Sequence, residues 1–354
     1  MENKSFENMS EKIESIERVK IGSAGVLGSL NFCFGDSKKI EPLFAHQNFK
    51  DEKFQFPEAL LPVQVTVQVS DIDLSIQDIK FDQSNNLVNH PTTEKLKKFI
   101  KNKLLKAQYG NEERPAVVYP KDLSDPIPVE TFKLSTVSGD EMLVHRYRGK
   151  ISEFATWRRA EWLMLFFVDA ASRIELEDGN WEIFICKSAL PPYSILCAAS
   201  IYHFPVFGNK STFTNRQRLA QFLTLPSAWG KGFGEALVTY FHDRALNDPT
   251  VDKFTMEDPS EGMLSLRDVV VLKNAKKAGI VTKLQDWLLN SFSQEKFADK
   301  FKIPKIAARR ALEVLEISKA SIGCEDYVSD ATFAPLDELR LKVKNRLKRF
   351  YDEK

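Results

Sequence analysis

The segment from Arg216 to Asp268 constrains the fold of this chain most strongly, because four different patterns follow one another within it. Leu219 to Leu225 is a short apolar run that ends at Pro226, which predicts a buried strand. Glycines then recur at alternate positions, and a second strand-like run ends in acidic residues. Between the glycines and that run, apolar residues fall on one helical stripe: Ala236, Leu237, Tyr240, Phe241 and Ala245. The segment therefore predicts a strand, a glycine loop, a helix and a second strand.

The glycine loop, Gly230, Gly232 and Gly234, is suited to an anionic ligand. Glycines let backbone N–H groups approach a ligand closely, and the start of a helix offers unpaired amides and a favourable dipole. The third glycine comes too early for a dinucleotide-binding loop, and Lys231 is not followed by the Ser or Thr of a P-loop. On the glycines alone, a flexible turn remains the alternative to a pyrophosphate cradle.

The loop resembles the pyrophosphate loop of the GNAT acetyltransferases, and four longer stretches resemble the catalytic subunit of type B histone acetyltransferases. These stretches are QFLTLP, GKGFGEAL, TMEDPSEGMLSLRD and FKIPKIAARRALEVLEI. The most specific part is Glu257-Asp258-Pro259-Ser260 followed by Leu266-Arg267-Asp268. The similarity covers roughly the last two thirds of the chain and, more loosely, the amino-terminal part.

The resemblance implies that acetyl-CoA is the co-substrate and assigns residues to it. The pantetheine amide would pair with the strand edge formed by Phe222, Leu223 and Thr224. The pyrophosphate would be held by Trp229, Gly230, Lys231, Gly232, Phe233, Gly234 and Glu235. The far side of the cofactor would be lined by Ser260 and Met263. Trp229 departs from the family, whose loop normally begins with Gln, and we expect this change to tune binding.

Three carboxylates are candidates for the chemistry. Acetyl transfer requires a proton to leave the lysine amine, whose free pKa is about 10.4, and a carboxylate at a strand end can accept it. On spacing alone, Glu257 and Asp258 could equally end a strand and cap a turn. The resemblance makes Glu257 the general base, with Asp258 and Asp169 assisting it or binding the amine. Asp169 stands where the family often carries Glu.

The predicted fold class is α+β: a GNAT-type mixed α/β acetyltransferase core with a domain on either side. Residues 1–128 are predicted to form an amino-terminal α+β domain, because runs such as Val63 to Val69 alternate apolar and polar residues. Residues 129–272 would form the acetyl-CoA-binding catalytic core, and residues 273–354 a helical carboxy-terminal domain. The basic tail, 336–351, is read as an amphipathic helix, with a nucleic-acid arm as the alternative.

Composition limits the other possibilities. The formal net charge of +1 gives no global field toward nucleic acid or membrane, and the longest apolar run, Trp162 to Ala171, is too short to span a bilayer. The amino terminus lacks the apolar core of a signal peptide. The four cysteines and five histidines are scattered without metal-ligand spacing, so we expect reduced thiols and no metal.

A local acidic cluster leaves two alternatives open. It consists of Glu175, Glu177, Asp178 and Glu182 and precedes a predicted strand. It is either a solvated loop or an acidic rim that attracts a lysine-rich peptide.

Together, these features predict a protein-lysine acetyltransferase that acts by direct transfer in a ternary complex. The resemblance implies the tail of newly synthesised histone four as substrate, histone three alongside it, a WD-repeat histone chaperone as partner, and action in nucleus and cytoplasm. No direct nucleic-acid or membrane partner is expected. The alternatives are a GNAT enzyme for small amines or protein amino termini, and a non-catalytic acetyl-CoA-binding scaffold.

Overall fold

The computed structural model describes a defined part of the chain. The described residues are 18–20, 30–35, 39–44, 55–57, 63–83, single positions between 94 and 105, 125–151, 153–207, 213–279 and 291–312. Within the predicted helical domain, the sequence also predicts a helix from Val281 to Phe292, which lies mostly outside this part. The predicted tail helix, 336–351, and one of the four cysteines, Cys324, lie wholly outside it.

The strands follow the alternating and apolar runs of the sequence. They are β1 (Arg18–Lys20), β2 (Leu30–Phe34), β3 (Gln55–Pro57), β4 (Val63–Val69), β5 (Ile76–Gln83), β6 (Glu130–Ser135), β7 (Glu141–Arg148), β8 (Trp181–Ser188), β9 (Ile195–Phe207), β10 (Phe213–Thr224) and β11 (Val251–Met256). The helices are α1 (Ala155–Phe167), α2 (Phe233–Asn247), α3 (Glu261–Lys277) and α4 (Ser291–Lys300). Residues 305–312 are also helical.

The larger sheet has six strands in the order β11-β10-β9-β8-β7-β6. Strands β6, β7 and β8 pair antiparallel, whereas β10 and β11 run parallel. A parallel pair needs a long crossover, and α2 supplies it. In the parallel register, Arg218 lies opposite Thr255 and Leu219 opposite Met256. This register brings the carboxyl end of β11 beside the middle of β10.

A smaller sheet has the order β2-β4-β5, with β2 and β4 parallel and β4 and β5 antiparallel. Strands β1 and β3 form a separate antiparallel pair. Mixed sheets with separate helices confirm the predicted α+β class and are consistent with an α+β acetyltransferase fold.

The chain divides into two compact units. The first unit comprises residues 1–135, 140–200 and 221–231, and the second comprises 136–139, 201–220 and 232–354. The predicted domain boundaries, 128/129 and 272/273, do not coincide with this division, so the three-domain organisation stays a prediction.

The first unit has an aromatic core around α1. Trp157, Trp162 and Phe166 are fully buried, and the ring of Phe32 from β2 lies 4.9 Å from Phe166 and 5.9 Å from Trp162. Burying each such side chain contributes roughly 1.5–3 kcal/mol relative to exposure. Residues of β2 and β4 therefore share one core with α1.

The second unit has its own core, formed by α3, α4 and residues 305–312. Lys302, which follows α4, links this core to α2 and β11. Its Nζ donates to the carbonyl oxygens of Ala245 (2.9 Å) and Asp248 (2.6 Å). Its own carbonyl oxygen accepts a hydrogen bond of 2.6 Å from the N–H of Phe254 in β11.

Some predicted elements differ from the observed ones. The sequence around Pro205 predicts a loop from Pro205 to Arg216. This prediction was wrong at both ends, because β9 continues through Pro205 to Phe207 and β10 already begins at Phe213. The apolar residues between Ser152 and Ala171 predict one long helix, but α1 begins at Ala155 and ends at Phe167. Helix α3 was not predicted from the sequence. The predicted strand at Val63–Val69 is confirmed.

Candidate active site

The glycine loop joins β10 to α2 in the predicted order. Gly230 and Gly232 have φ angles of 74° and 82°, which an L side chain adopts only under strain. Gly232 is the N-cap of α2, so the N–H groups of Phe233, Gly234 and Glu235 have no partner within the helix. Apart from its two chain neighbours, no atom of the described residues lies within 4 Å of a Cβ built at Gly230. The unpaired amides at the start of α2 fit an anionic ligand.

Trp229, which stands where the family has Gln, turns its indole back toward β10. Its Nε1 donates a 2.7 Å hydrogen bond to the carbonyl oxygen of Thr224, and its ring meets Phe167 edge-on at 6.2 Å. The side chain remains 46% exposed.

The predicted strand-edge residues form the end of β10. Leu223 is buried in the core of the first unit, whereas Phe222 and Thr224 are half-buried. Cys197 Sγ lies 3.6 Å from Thr224 Oγ1, and burial raises the pKa of this thiol to about 12. The Thr224 carbonyl oxygen already accepts a hydrogen bond from Trp229, so a ligand that binds this oxygen must share it.

The loop and its neighbourhood contain two lysines, one exposed and one paired with a carboxylate. Lys231 is exposed. Lys273, from α3, donates a 2.7 Å hydrogen bond to Glu235 in the first turn of α2. Glu235 therefore carries a compensated charge at the helix start.

Glu257 follows β11 directly and belongs to the second unit. Its N–H donates a 3.0 Å hydrogen bond to the carbonyl oxygen of Leu219 on β10, which fixes the backbone at this point. The side chain is 48% exposed, and its Oε1 lies 3.8 Å from Nη1 of Arg218. Asp258 comes next with a φ of 32°, so the chain turns sharply after the base candidate.

The rest of the acidic motif starts α3. The Ser260 hydroxyl accepts a 3.3 Å hydrogen bond from the N–H of Met263 and so acts as the N-cap. Ser260 therefore marks the start of α3, two residues after Asp258. The predicted cofactor contacts of Ser260 and Met263 stay predictions.

The Leu266-Arg267-Asp268 part of the motif ties α3 to the following helical segment. Asp268 is buried and accepts hydrogen bonds from Arg267 Nη2 (3.0 Å) and from Arg310 Nε (2.7 Å). Arg310 also pairs with Glu261 at 3.3 Å. The motif thus contributes structure to the second unit.

Asp169 lies just after α1 in the first unit. It is exposed, and its Oδ1 accepts a 3.0 Å hydrogen bond from the N–H of Ala170. Glu257, Asp258, Ser260 and Met263 are brought together in one turn of the second unit, and Asp169 belongs to the other unit. Its assisting role stays a prediction.

The acidic cluster is smaller than the sequence indicated. Glu182 is buried and makes a 2.8 Å ion pair with Arg146, which excludes it from an acidic rim. Glu175 and Glu177 are exposed, as either alternative requires.

Sequence reasoning missed Arg218 and Lys273, the two cations beside predicted site residues. Arg218 could have been found because polar residues alternate along β10, which places Arg216 and Arg218 on one face of the strand. Lys273 had no comparable local signal, because it lies 38 positions from its partner.

The described part of the chain was compared with the requirements of a metal site and of a membrane-spanning helix. It holds no group of three or more His, Cys, Asp or Glu residues that could bind a metal ion, and the predicted absence of a metal stays a prediction. Among the same residues, no helix has the length and apolar character needed to cross a bilayer. Cys33, Cys186 and Cys197 are free and buried.

A mixed sheet, a glycine loop at a helix start and a carboxylate at a strand end define a class consistent with the α+β acetyltransferases. Comparison with known proteins narrows this class. No family model matches the chain. Several curated proteins of one kind do match, however: catalytic subunits of type B histone acetyltransferases from fungi, animals, a plant and a slime mould.

Three of these relatives show the extent of the similarity. The protein from Candida glabrata is 31% identical over 195 residues, which cover 53% of this chain and 48% of the relative. The mouse protein is 29% identical over 205 residues, covering 55% and 46%. The protein from Dictyostelium discoideum is 28% identical over 339 residues, covering 87% and 67%.

These matches relate the chain to the catalytic subunits of type B histone acetyltransferases, as the sequence motifs predicted. The chain spans about half the length of the first of these relatives.

Proposed function

We propose that this protein transfers an acetyl group from acetyl-CoA to lysine side chains of histone four, with Glu257 as general base. The observation that carries the proposal is the position of Glu257. Its backbone is fixed to β10 at the end of β11, and its carboxylate is half-exposed. A carboxylate held in this way is reachable by an incoming amine and still constrained in direction.

The reaction divides into simple steps. The Glu257 carboxylate removes a proton from the lysine ammonium, directly or through one water molecule. The amine nitrogen then attacks the thioester carbonyl carbon, a C–N bond forms and the C–S bond breaks. The nitrogen releases its second proton to solvent, and CoA leaves as the thiolate. Direct transfer is supported by the motif, which contains no cysteine, and by the burial of the three cysteines in the described part of the chain, Cys33, Cys186 and Cys197.

The amides at the start of α2 support the cofactor assignment. Phosphate groups bind well at helix N-termini, where free N–H groups and the helix dipole both favour negative charge. When bound, acetyl-CoA supplies the activated acyl group, and the loop would hold its pyrophosphate.

The names of the relatives support a histone substrate and chromatin-related action. Within this proposal, histone four is the substrate, histone three accompanies it, and a WD-repeat chaperone presents them. The site of action is the nucleus and the cytoplasm.

The proposal is tested with purified protein, acetyl-CoA and a peptide of the histone four tail. We expect Glu257→Gln to lower kcat by at least about 100-fold, as for the loss of a general base, with unchanged acetyl-CoA affinity. Glu153→Gln, at an exposed glutamate before α1, is the matched control and should behave as wild type. Asp258→Asn and Asp169→Asn measure the two assisting roles.

Other outcomes would contradict the proposal in distinct ways. Equal rates for Glu257→Gln and wild type would remove Glu257 from its role. Turnover of polyamines or protein amino termini, but not of lysine peptides, would indicate a different substrate class. Tight acetyl-CoA binding without turnover of any amine would indicate a non-catalytic scaffold.

A further inference from the structure

Three side chains lie in a row across the second unit, from β9 through β10 to the end of β11. The guanidinium carbon of Arg218 lies 4.5 Å from the centre of the Phe204 ring, a cation–π distance. On the other side, Arg218 Nη1 lies 3.8 Å from Oε1 of Glu257. Arg218 is thus placed between an aromatic ring and the proposed general base.

Backbone pairing fixes where Arg218 lies relative to Glu257. Arg218 lies opposite Thr255 in the parallel register, and the residue after it, Leu219, accepts the hydrogen bond from the Glu257 N–H. Arg218 is therefore next to the point that anchors Glu257. Tyr202, whose ring lies 4.6 Å from that of Phe204, supports the aromatic side. The Phe204 ring thus supports one face of the guanidinium, and Glu257 lies on its other side.

The neighbouring arginine on the same strand makes a different kind of contact. Arg216 Nη2 binds Asp252 Oδ2 at 2.7 Å, the length of a direct charge-assisted hydrogen bond. The 3.8 Å between Arg218 and Glu257 is longer than such a bond. The arginine therefore attracts the carboxylate without occupying it, and the carboxylate oxygens keep their capacity to accept a proton.

We propose that Arg218, held on the Phe204 ring, is a positioning residue that directs the Glu257 carboxylate toward the amine of the substrate. This inference rests on the proposed function of Glu257. Arg218 acts through Glu257, and Phe204 acts through Arg218. The guanidinium, 3.8 Å from the carboxylate, attracts it toward one side and so limits the rotamers that Glu257 samples.

The first test compares variants at these positions by steady-state kinetics. We expect Arg218→Gln to lower kcat roughly tenfold to a hundredfold, as for a misplaced catalytic group, with the KM for acetyl-CoA unchanged. Arg218→Lys should recover part of the loss, because it keeps the charge. Phe204→Leu should give an intermediate rate. Arg216→Gln is the matched control, with wild-type kinetics expected because its partner, Asp252, has no part in the reaction.

Two further measurements separate positioning from general damage to the fold. Added guanidinium ions should raise the rate of Arg218→Ala but not that of wild type or Arg216→Gln. In a double-mutant cycle, Arg218→Gln should cause no further loss once Glu257 is replaced by Gln, because it acts through that residue.

Each alternative result has one meaning. Activity of Arg218→Gln equal to wild type, or losses that simply add in the cycle, would overturn the inference and leave the role of Glu257 intact. A wild-type protein that acetylates no amine would instead overturn the proposed function itself.

Discussion

Lys273 Nζ donates a 2.7 Å hydrogen bond to Glu235 Oε1 and thereby joins α3 to the first turn of α2. Both side chains are about three-quarters buried, with exposed fractions of 22% and 26%. Glu235 belongs to the turn whose amides are proposed to hold a pyrophosphate, and an uncompensated carboxylate there would repel that ligand. Lys273 offsets this charge.

Replacing Lys273 should therefore weaken cofactor binding. We expect Lys273→Gln to raise the dissociation constant for CoA by about threefold to tenfold, since a partly buried charge loses its partner. The double variant Glu235→Gln/Lys273→Gln should restore most of the affinity, because the repelling charge is also gone. Isothermal titration calorimetry measures both. Lys277→Gln, at an exposed position on the same helix, is the control. Equal affinity of Lys273→Gln and wild type would contradict the expectation.

Gly232 and Gly279 form a matched pair for testing the loop. Both have positive φ angles, 82° and 70°, so alanine at either position should cost roughly 1–2 kcal/mol of backbone strain. At Gly232 the new Cβ would also lie 3.4 Å from Thr136 Cβ. We expect both alanine variants to lower the melting temperature, but only Gly232→Ala to weaken CoA binding. Loss of affinity in both variants would mean that general destabilisation, and not the loop, controls binding.

Trp229 allows its hydrogen bond to be separated from its ring contact. Trp229→Phe keeps an aromatic ring beside Phe167 but removes the N–H that donates to Thr224. If the bond holds the loop, CoA affinity should fall about fivefold, equivalent to one hydrogen bond of ~1 kcal/mol. Trp229→Ala, which loses both contacts, should bind more weakly still. Tighter CoA binding by Trp229→Phe would show that the indole competes with the ligand for the Thr224 carbonyl.

His242 gives the second unit a pH-dependent stability. It is buried, its Nε2 lies 2.9 Å from the Phe301 carbonyl oxygen, and its Nδ1 lies 3.0 Å from Asn274 Nδ2. Asn274 Nδ2 also donates to Asp243, so these partners assign the Nδ1 atom as an acceptor. Burial lowers the pKa of His242 from the ordinary 6.5, and the Phe301 carbonyl and Asp243 oppose this only in part.

Stability should decrease as the pH falls, because the folded protein favours the neutral form of His242. The stability contribution of His242 is complete above pH 6.5 and declines as the pH falls from 6.5 toward the lower pKa of the folded state. Melting temperatures between pH 7.5 and 5 should fall for wild type, and this slope should be smaller in His242→Gln. His145→Gln is the comparison, because partial burial and Lys187 lower the pKa of His145 as well. An unchanged slope in His242→Gln would rule out His242 as a source.

The sequence predicted those parts of the fold that depend on local patterns. The alternation from Val63 to Val69 and the glycines before α2 each have a short-range physical cause, and both predictions were accurate. Pro205 misled the prediction, because proline lacks the N–H that most strand positions use. The strand nevertheless continues through it to Phe207, and β9 lies between β8 and β10 in the larger sheet.

The candidate site divides in the same way. Glu257 and the glycine loop were predicted as site residues from contiguous motifs, and these roles stay predictions. Ser260, as a helix N-cap residue, could have indicated the start of α3. Arg218 and Lys273 gain their significance only from partners across the sheet or on another helix, 39 and 38 positions away in the chain. Likewise, the sequence places Glu182 in an acidic cluster, but the residue is buried and pairs with Arg146, 36 positions away in the chain.

The bond from the Phe254 N–H to the Lys302 carbonyl has a consequence for self-association. Among the described residues, β11 is the edge strand of its sheet, and edge strands offer unpaired main-chain groups to strands of other molecules. Lys302 occupies one of those groups and also fastens the end of α2. A foreign strand could not run along this edge without first displacing the protein's own chain, which protects the molecule from aggregating through it.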